Sequence, residues 1–127
     1  MPKRSTALET CSPPLVDRAR VAAARKRLLP EAELEELAAL FRLLGDATRA
    51  RLLYALLEAG ELCVCDLAAA TSTPETNVSH ALRLLRTAGI AKARRDGRRI
   101  YYSLDDAHVR MLLDVSREHL RHARGRA

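Results

Sequence analysis

From Val64 to Leu104 the sequence permits few chain paths. The run VCDLAAATSTPETNVSHALRLLRTAGIAKARRDGRRIYYSL reads as helix, tight turn, helix, then strand, turn, strand. A short helix fits residues 64–70, Thr71 to Thr73 make a turn with capping chemistry, and Pro74 suits a first helical position. The second helix runs to Thr87 and stops before Gly89. Val78, Leu82 and Leu85 fall on one face of it, and Thr76, Asn77, Ser79, His80 and Arg83 on the other. A recognition helix needs that division, with one side on a core and the other in a DNA groove.

The strands that follow are joined at Asp96-Gly97, a strong hairpin signal. Lys92, Arg94, Arg95, Arg98 and Arg99 crowd the hairpin with a single aspartate between them. Such a ribbon could carry its arginines only for solvation. Five cations against one acid at the tip favour phosphate contacts. A helix-turn-helix followed by a basic hairpin is a winged helix, so the expected fold is mainly α with a small β-hairpin.

The flanking segments extend this reading. Residues 1–15 are polar, with Pro13-Pro14, and read as a mobile arm. Residues 16–29 form a short basic helix ending at Pro30. From Glu31 an apolar stripe of Leu34, Leu37, Ala38, Phe41 and Leu44 recurs at helical spacing up to Gly45. Asp46 can cap the next helix, whose Leu52, Leu53, Leu56 and Leu57 face a core and which ends at Gly60. The expected organisation is a basic arm with a short helix over residues 1–30 and a winged helix-turn-helix domain over residues 31–124. A chain of 127 residues suits one such core.

Composition narrows the function classes. The net charge of +6 favours a polyanionic partner such as nucleic acid. The N-terminal stretch has no apolar run long enough for a signal peptide or membrane span, so a cytoplasmic protein with reduced thiols and no membrane partner is expected. No Ser/His/Asp order, phosphate-binding glycine loop or paired-carboxylate cleft is visible, which argues against an enzyme.

Two sequence features raise the question of metal. Two of the three cysteines, Cys63 and Cys65, stand one residue apart. A disulfide between them would be badly strained. They are either small apolar residues or thiols at the start of an element that turn toward one point. The last segment carries three of the four histidines. His108 and His119 are eleven residues apart on one helical face, about 16 Å along the axis, and His122 lies one turn beyond. One ion cannot span that stripe. Either the histidines decorate a solvated helix end, or two such helices lie antiparallel. In the second case Asp106 and His108 of one chain face His119 and His122 of the other, four N/O ligands suited to tetrahedral Zn(II) and repeated by twofold symmetry.

The stretches ELCVCDLAAAT, NVSHALRLLRTAGI, RRDGRRIYYSL and DDAHVRMLLDVSREHLRH together resemble the ArsR/SmtB family of metal-sensing repressors, over residues 31–122. The resemblance implies a winged-helix homodimer, joined through its N- and C-terminal helices, that binds operator DNA without metal and releases it when metal binds. It also implies control of metal efflux or sequestration genes. By the same resemblance Asp106, His108, His119 and His122 are a zinc site shared across the dimer. Cys63 and Cys65 form a thiolate site completed from the N-terminal arm, which here offers Cys11 and no histidine. Three sulfurs suit Cd(II) or Pb(II), whereas Zn(II) would want a fourth ligand such as Asp66 or water. Cys63 just before a helix and Cys65 in its first turn could both reach outward, and a helix N-terminus lowers a thiol pKa. Two other readings stand beside this one: a thiol redox regulator using Cys11, Cys63 and Cys65, and a DNA-binding module with purely structural zinc. The first leaves the Asp/His set without a role.

Overall fold

The structure is a computed structural model that describes residues 16–125. The expected arm, with Cys11, lies outside the described residues. The chain divides into two units, Met1–Glu36 and Leu37–Ala127. In the first, α1 (Arg18–Lys26) is capped by Asp17, whose carboxylate accepts the Arg20 N–H at 3.1 Å. No residue of α1 is buried, as its run of basic residues and alanine requires. Helix α2 (Glu31–Leu44) opens as the Leu34 N–H donates to the Pro30 carbonyl, and it continues into the second unit.

The second unit is built on α3 (Ala47–Ala59), β1 (Leu62–Cys63), α4 (Val64–Thr71), α5 (Glu75–Thr87), β2 (Ala91–Asp96), β3 (Arg99–Leu104) and α6 (Ala107–Gly125). Asp46 caps α3 by accepting the Arg49 N–H at 3.0 Å. Leu52, Leu53, Leu56, Leu67, Val78, Leu82 and Leu85 are fully buried, so three helices share one leucine core. Burying each such side chain contributes about 1.5–3 kcal/mol. Helix α6 joins through Leu113, whose carbonyl accepts the Tyr54 hydroxyl at 2.7 Å.

The turn between α4 and α5 is set by Ser72, which adopts the left-handed conformation (φ 51°). The Thr73 N–H donates back to the Ala68 carbonyl, and the buried Thr71 hydroxyl donates to the Leu67 carbonyl at 2.6 Å. The helix-turn-helix and the hairpin are thus where the sequence puts them.

Two details differ from that expectation. Asp96 ends β2 and pairs with Arg99, so Gly97 and Arg98 form the two-residue loop instead of Asp96 and Gly97. Gly97 takes φ 64° at the first loop position while Arg98 stays at negative φ, the pattern of a type II′ turn. The hairpin also gains a third strand, in the order β1-β3-β2, with Leu62 opposite Tyr102 and Cys63 opposite Tyr101. A two-residue strand is too short to show a period.

The apolar stripe of α2 carries no buried residue: Leu34 is 48% and Phe41 58% exposed. On α6, Met111, Val115 and Leu120 are 61%, 63% and 57% exposed. Their periodicity marks an apolar face, and among the described residues nothing covers these side chains. Among the described residues no helix is long and apolar enough to cross a membrane.

Candidate nucleic-acid interface and metal centres

Helix α5 buries Val78, Ala81, Leu82 and Leu85 and exposes Thr76, Asn77, Ser79, His80 and Arg83. The leucine core holds one face, which fixes the polar face outward. Ser79 and Arg83 border an open hollow of about 350 Å³ with Arg86, Thr87 and Tyr102. Asn77 and His80 border another, with Thr48 and Arg49 of α3. Arg86 and Thr48 were not singled out from the sequence. Arg86 lies seven residues after Ser79 and three after Arg83, a helical spacing that could have flagged it.

All five wing cations, Lys92, Arg94, Arg95, Arg98 and Arg99, are exposed. They are not equivalent. Arg94 donates from Nε and Nη2 to the two Glu61 carboxylate oxygens at 3.0 and 2.7 Å. Its guanidinium carbon lies 5.1 Å from the centroid of the Tyr101 ring, and its Nη1 lies 4.0 Å from Asp96. The Arg94 hydrogen bond holds the Glu61 carboxyl below the usual carboxylate range. Among the described residues, no ion pair engages Lys92, Arg95, Arg98 or Arg99.

The two thiols differ in setting. Cys63 ends β1, occupies the N-cap of α4 and is 6% exposed, whereas Cys65 in the first turn is exposed. The outward reach expected of both therefore holds for Cys65 alone. Both border an open hollow of about 490 Å³ with Asp66, Ser79, Arg98 and Arg99. The Cys65 thiol donates to Glu75 Oε1 at 3.0 Å. That hydrogen bond, and then the charge of the same carboxylate, push the Cys65 thiol up. The helix N-terminus was expected to lower it; an ionised carboxylate at hydrogen-bond distance outweighs half a dipole charge.

On the terminal helix, Asp106 caps α6, accepting the Val109 N–H at 3.0 Å, and this bond holds its carboxyl below the usual range. His108 Nδ1 lies 3.8 Å from Asp106 Oδ2. His119 and His122 lie farther along α6, and all four groups are exposed. Among the described residues, no three Cys, His, Asp or Glu side chains of this one chain are gathered around a point where an ion could sit. Donor types and separation fit an ion held between two copies of the helix: a carboxylate and an imidazole at one end, two imidazoles at the other.

Residues 46–93 match the family model described as "Bacterial regulatory protein, arsR family". Over 113 residues the chain is 39% identical to a protein from Staphylococcus aureus named as a homolog of the cadmium resistance transcriptional regulatory protein CadC, covering 89% of this chain and 93% of that one. Over 110 residues it is 43% identical to a transcriptional repressor SmtB homolog from Synechocystis, covering 87% and 83%. Among solved structures, the AntR antimony-specific transcriptional repressor superposes with a TM-score of 0.69 at 38% identity, covering 77% of this chain and 88% of that one. A homodimeric winged helix-turn-helix DNA-binding domain from Mycobacterium bovis superposes with a TM-score of 0.64 at 33% identity, covering 72% and 87%. A winged helix with a two-faced α5, a cationic wing and matches of this extent has one assignment: the chain belongs to the arsR family of bacterial regulatory proteins.

Proposed function

We propose that the protein is a cytoplasmic, metal-responsive transcriptional repressor. It binds operator DNA as a metal-free homodimer and leaves it on binding Zn(II), with Cd(II) or Pb(II) as further inducers at the thiols. The exposed Asp106, His108, His119 and His122 of α6 carry the Zn(II) part of this reading, and the softer-ion part rests on the hollow in which Cys63 and Cys65 share a rim with Ser79, Arg98 and Arg99. Groups that bind soft cations border the groups disposed to meet DNA, so occupancy by one ligand bears on the other.

In DNA binding, Thr76, Asn77, Ser79, His80 and Arg83 of α5 face the major groove, with Arg86 beside them. Lys92, Arg95, Arg98 and Arg99 of the wing neutralise phosphates. The exposed apolar side chains of α6 and of α2 from Leu37 onward supply the seam between two copies: Phe41, Met111, Val115 and Leu120 are each more than half exposed. In that dimer Asp106 and His108 of one copy would hold Zn(II) with His119 and His122 of the other, and twofold symmetry repeats the site. Bound there, the ion supplies a rigid cross-link between two terminal helices. Cys63 and Cys65 offer thiolates for a softer ion. Cys11 is the remaining cysteine of the sequence, and Cys11→Ser tests whether it joins them.

The test is fluorescence anisotropy of a labelled duplex selected for binding from a random pool. It is titrated separately with Zn(II), Cd(II), Pb(II), Co(II) and Ni(II). Release by at least one thiophilic ion is expected. Affinity unchanged by all five removes the sensing role.

A further inference from the structure

Glu61 and Arg94 stand 33 residues apart in sequence. Glu61 precedes β1 and Arg94 lies on β2, the two outer strands of the sheet. The central strand β3 runs between them, and Tyr101 of β3 is the register partner of Arg94 on one side and of Cys63 on the other. The Glu61–Arg94 bond therefore straddles the middle strand, with the guanidinium lying over the Tyr101 ring. It ties the wing to the strand that leads into α4, across a pair of strands that exchange no backbone hydrogen bonds.

This geometry leaves Arg94 little to offer a phosphate. Two of its donors are spent on Glu61, one ring face covers it, and Asp96 lies 4.0 Å from its remaining terminal nitrogen. The Glu61 and Asp96 carboxylates beside the Arg94 guanidinium offset its charge toward an arriving phosphate, and Lys92 is the further cation close to Glu61. Arg95 and Arg98 carry no such partner among the described residues. We propose that Arg94 is a positioning residue, which with Glu61 clamps the wing at the angle from which Arg95 and Arg98 reach DNA. The proposal refines the DNA-binding reading above and rests on it only for its affinity measurements.

Removing a carboxylate near DNA ordinarily tightens binding, because it removes repulsion. The clamp predicts the opposite sign. Glu61→Gln should weaken binding of the selected duplex by about two- to fivefold, the range an exposed but bidentate ion pair supports, with the salt slope unchanged. Arg94→Glu should weaken it further, and the reversed pair Glu61→Arg/Arg94→Glu should recover to within about twofold of Glu61→Gln. Tighter binding by Glu61→Gln, or no recovery in the reversed pair, would show that Arg94 itself meets the phosphate. A second readout needs no DNA. In the free protein, ¹⁵N relaxation at Gly97 and Arg98 should report a more mobile wing in Glu61→Gln than in wild type, at unchanged helix content. A wing of unaltered order overturns the clamp whatever the affinities. A looser wing in a protein that binds no duplex at all would uphold the clamp and refute the repressor reading instead.

Discussion

Leu84 and Leu85 are neighbours on α5 with opposite fates: Leu85 is fully buried in the core, while Leu84 is 36% exposed. Replacing either with alanine changes helix propensity little, because both residues are good helix formers. The contrast between the two variants therefore isolates burial. Leu85→Ala removes the transfer energy of the lost carbons and leaves a cavity among α3, α4 and α5, about 2–5 kcal/mol in all. That is a large share of the total of about 5–15 kcal/mol for a domain of this kind. Leu84→Ala should cost less than about 1 kcal/mol. The assay is urea unfolding followed by circular dichroism at one fixed protein concentration, because a dimer's midpoint depends on concentration. With a slope of about 1–3 kcal/mol per molar urea, a loss of about 3 kcal/mol moves the midpoint by about 1–3 M. At the same slope Leu84→Ala should move the midpoint by no more than about a third as much as Leu85→Ala. Equal shifts in the two variants would mean that α5 does not present the face described, and the outward set from Thr76 to Arg83 would fall with it.

Three further outcomes follow from the same geometry. Ser72→Gly should stabilise the protein by up to about 1 kcal/mol in the same assay, since a left-handed L residue costs about 1–2 kcal/mol and glycine's extra freedom when unfolded returns part of that. Destabilisation would show that Ser72 holds the turn by a contact and not by its backbone alone. Arg98→Ala should weaken binding across all sequences and lower the salt slope by about one, whereas an unchanged slope would remove Arg98 from the phosphate contacts. Asn77→Ala and Ser79→Ala should instead weaken the selected duplex more than random DNA, by about 1–3 kcal/mol, and a uniform loss would place both residues on the backbone.

Much of this molecule is legible in its sequence because local physics decides it. Asp46 and Gly60 bound α3, and a period of 3.6 residues separates Val78 from Ser79; Pro74 falls at the N-cap of α5, one residue before the first helical position expected for it. What escapes is whatever joins distant positions. The Cys65–Glu75 bond depends on the turn at Ser72, and it reverses the sign expected for a thiol at a helix N-terminus. The Glu61–Arg94 pair depends on strand order, which a two-residue β1 does not announce. A list of wing arginines made from sequence therefore treats Arg94 and Arg98 alike. The α2 stripe shows a further limit, because periodicity reveals an apolar face and not what covers it.

The proposed switch is metal held on the terminal helix, which drives the protein off DNA. It is tested most directly by titrating Zn(II) into a preformed complex with a labelled duplex, for wild type, His119→Ala and Cys63→Ser, and then adding chelator. Two recognition helices must match half-sites about 34 Å apart, so a cross-link that fixes a different spacing weakens both contacts together. At a coupling of about 3 kcal/mol, wild type should lose about a hundredfold in affinity and regain it with chelator. Cys63→Ser should respond to Zn(II) like wild type. His119→Ala should bind DNA as tightly as wild type before metal and should stay bound after it. Full release of His119→Ala by Zn(II), with none from Cys63→Ser, would make the thiols the switch and leave the terminal-helix site without that role.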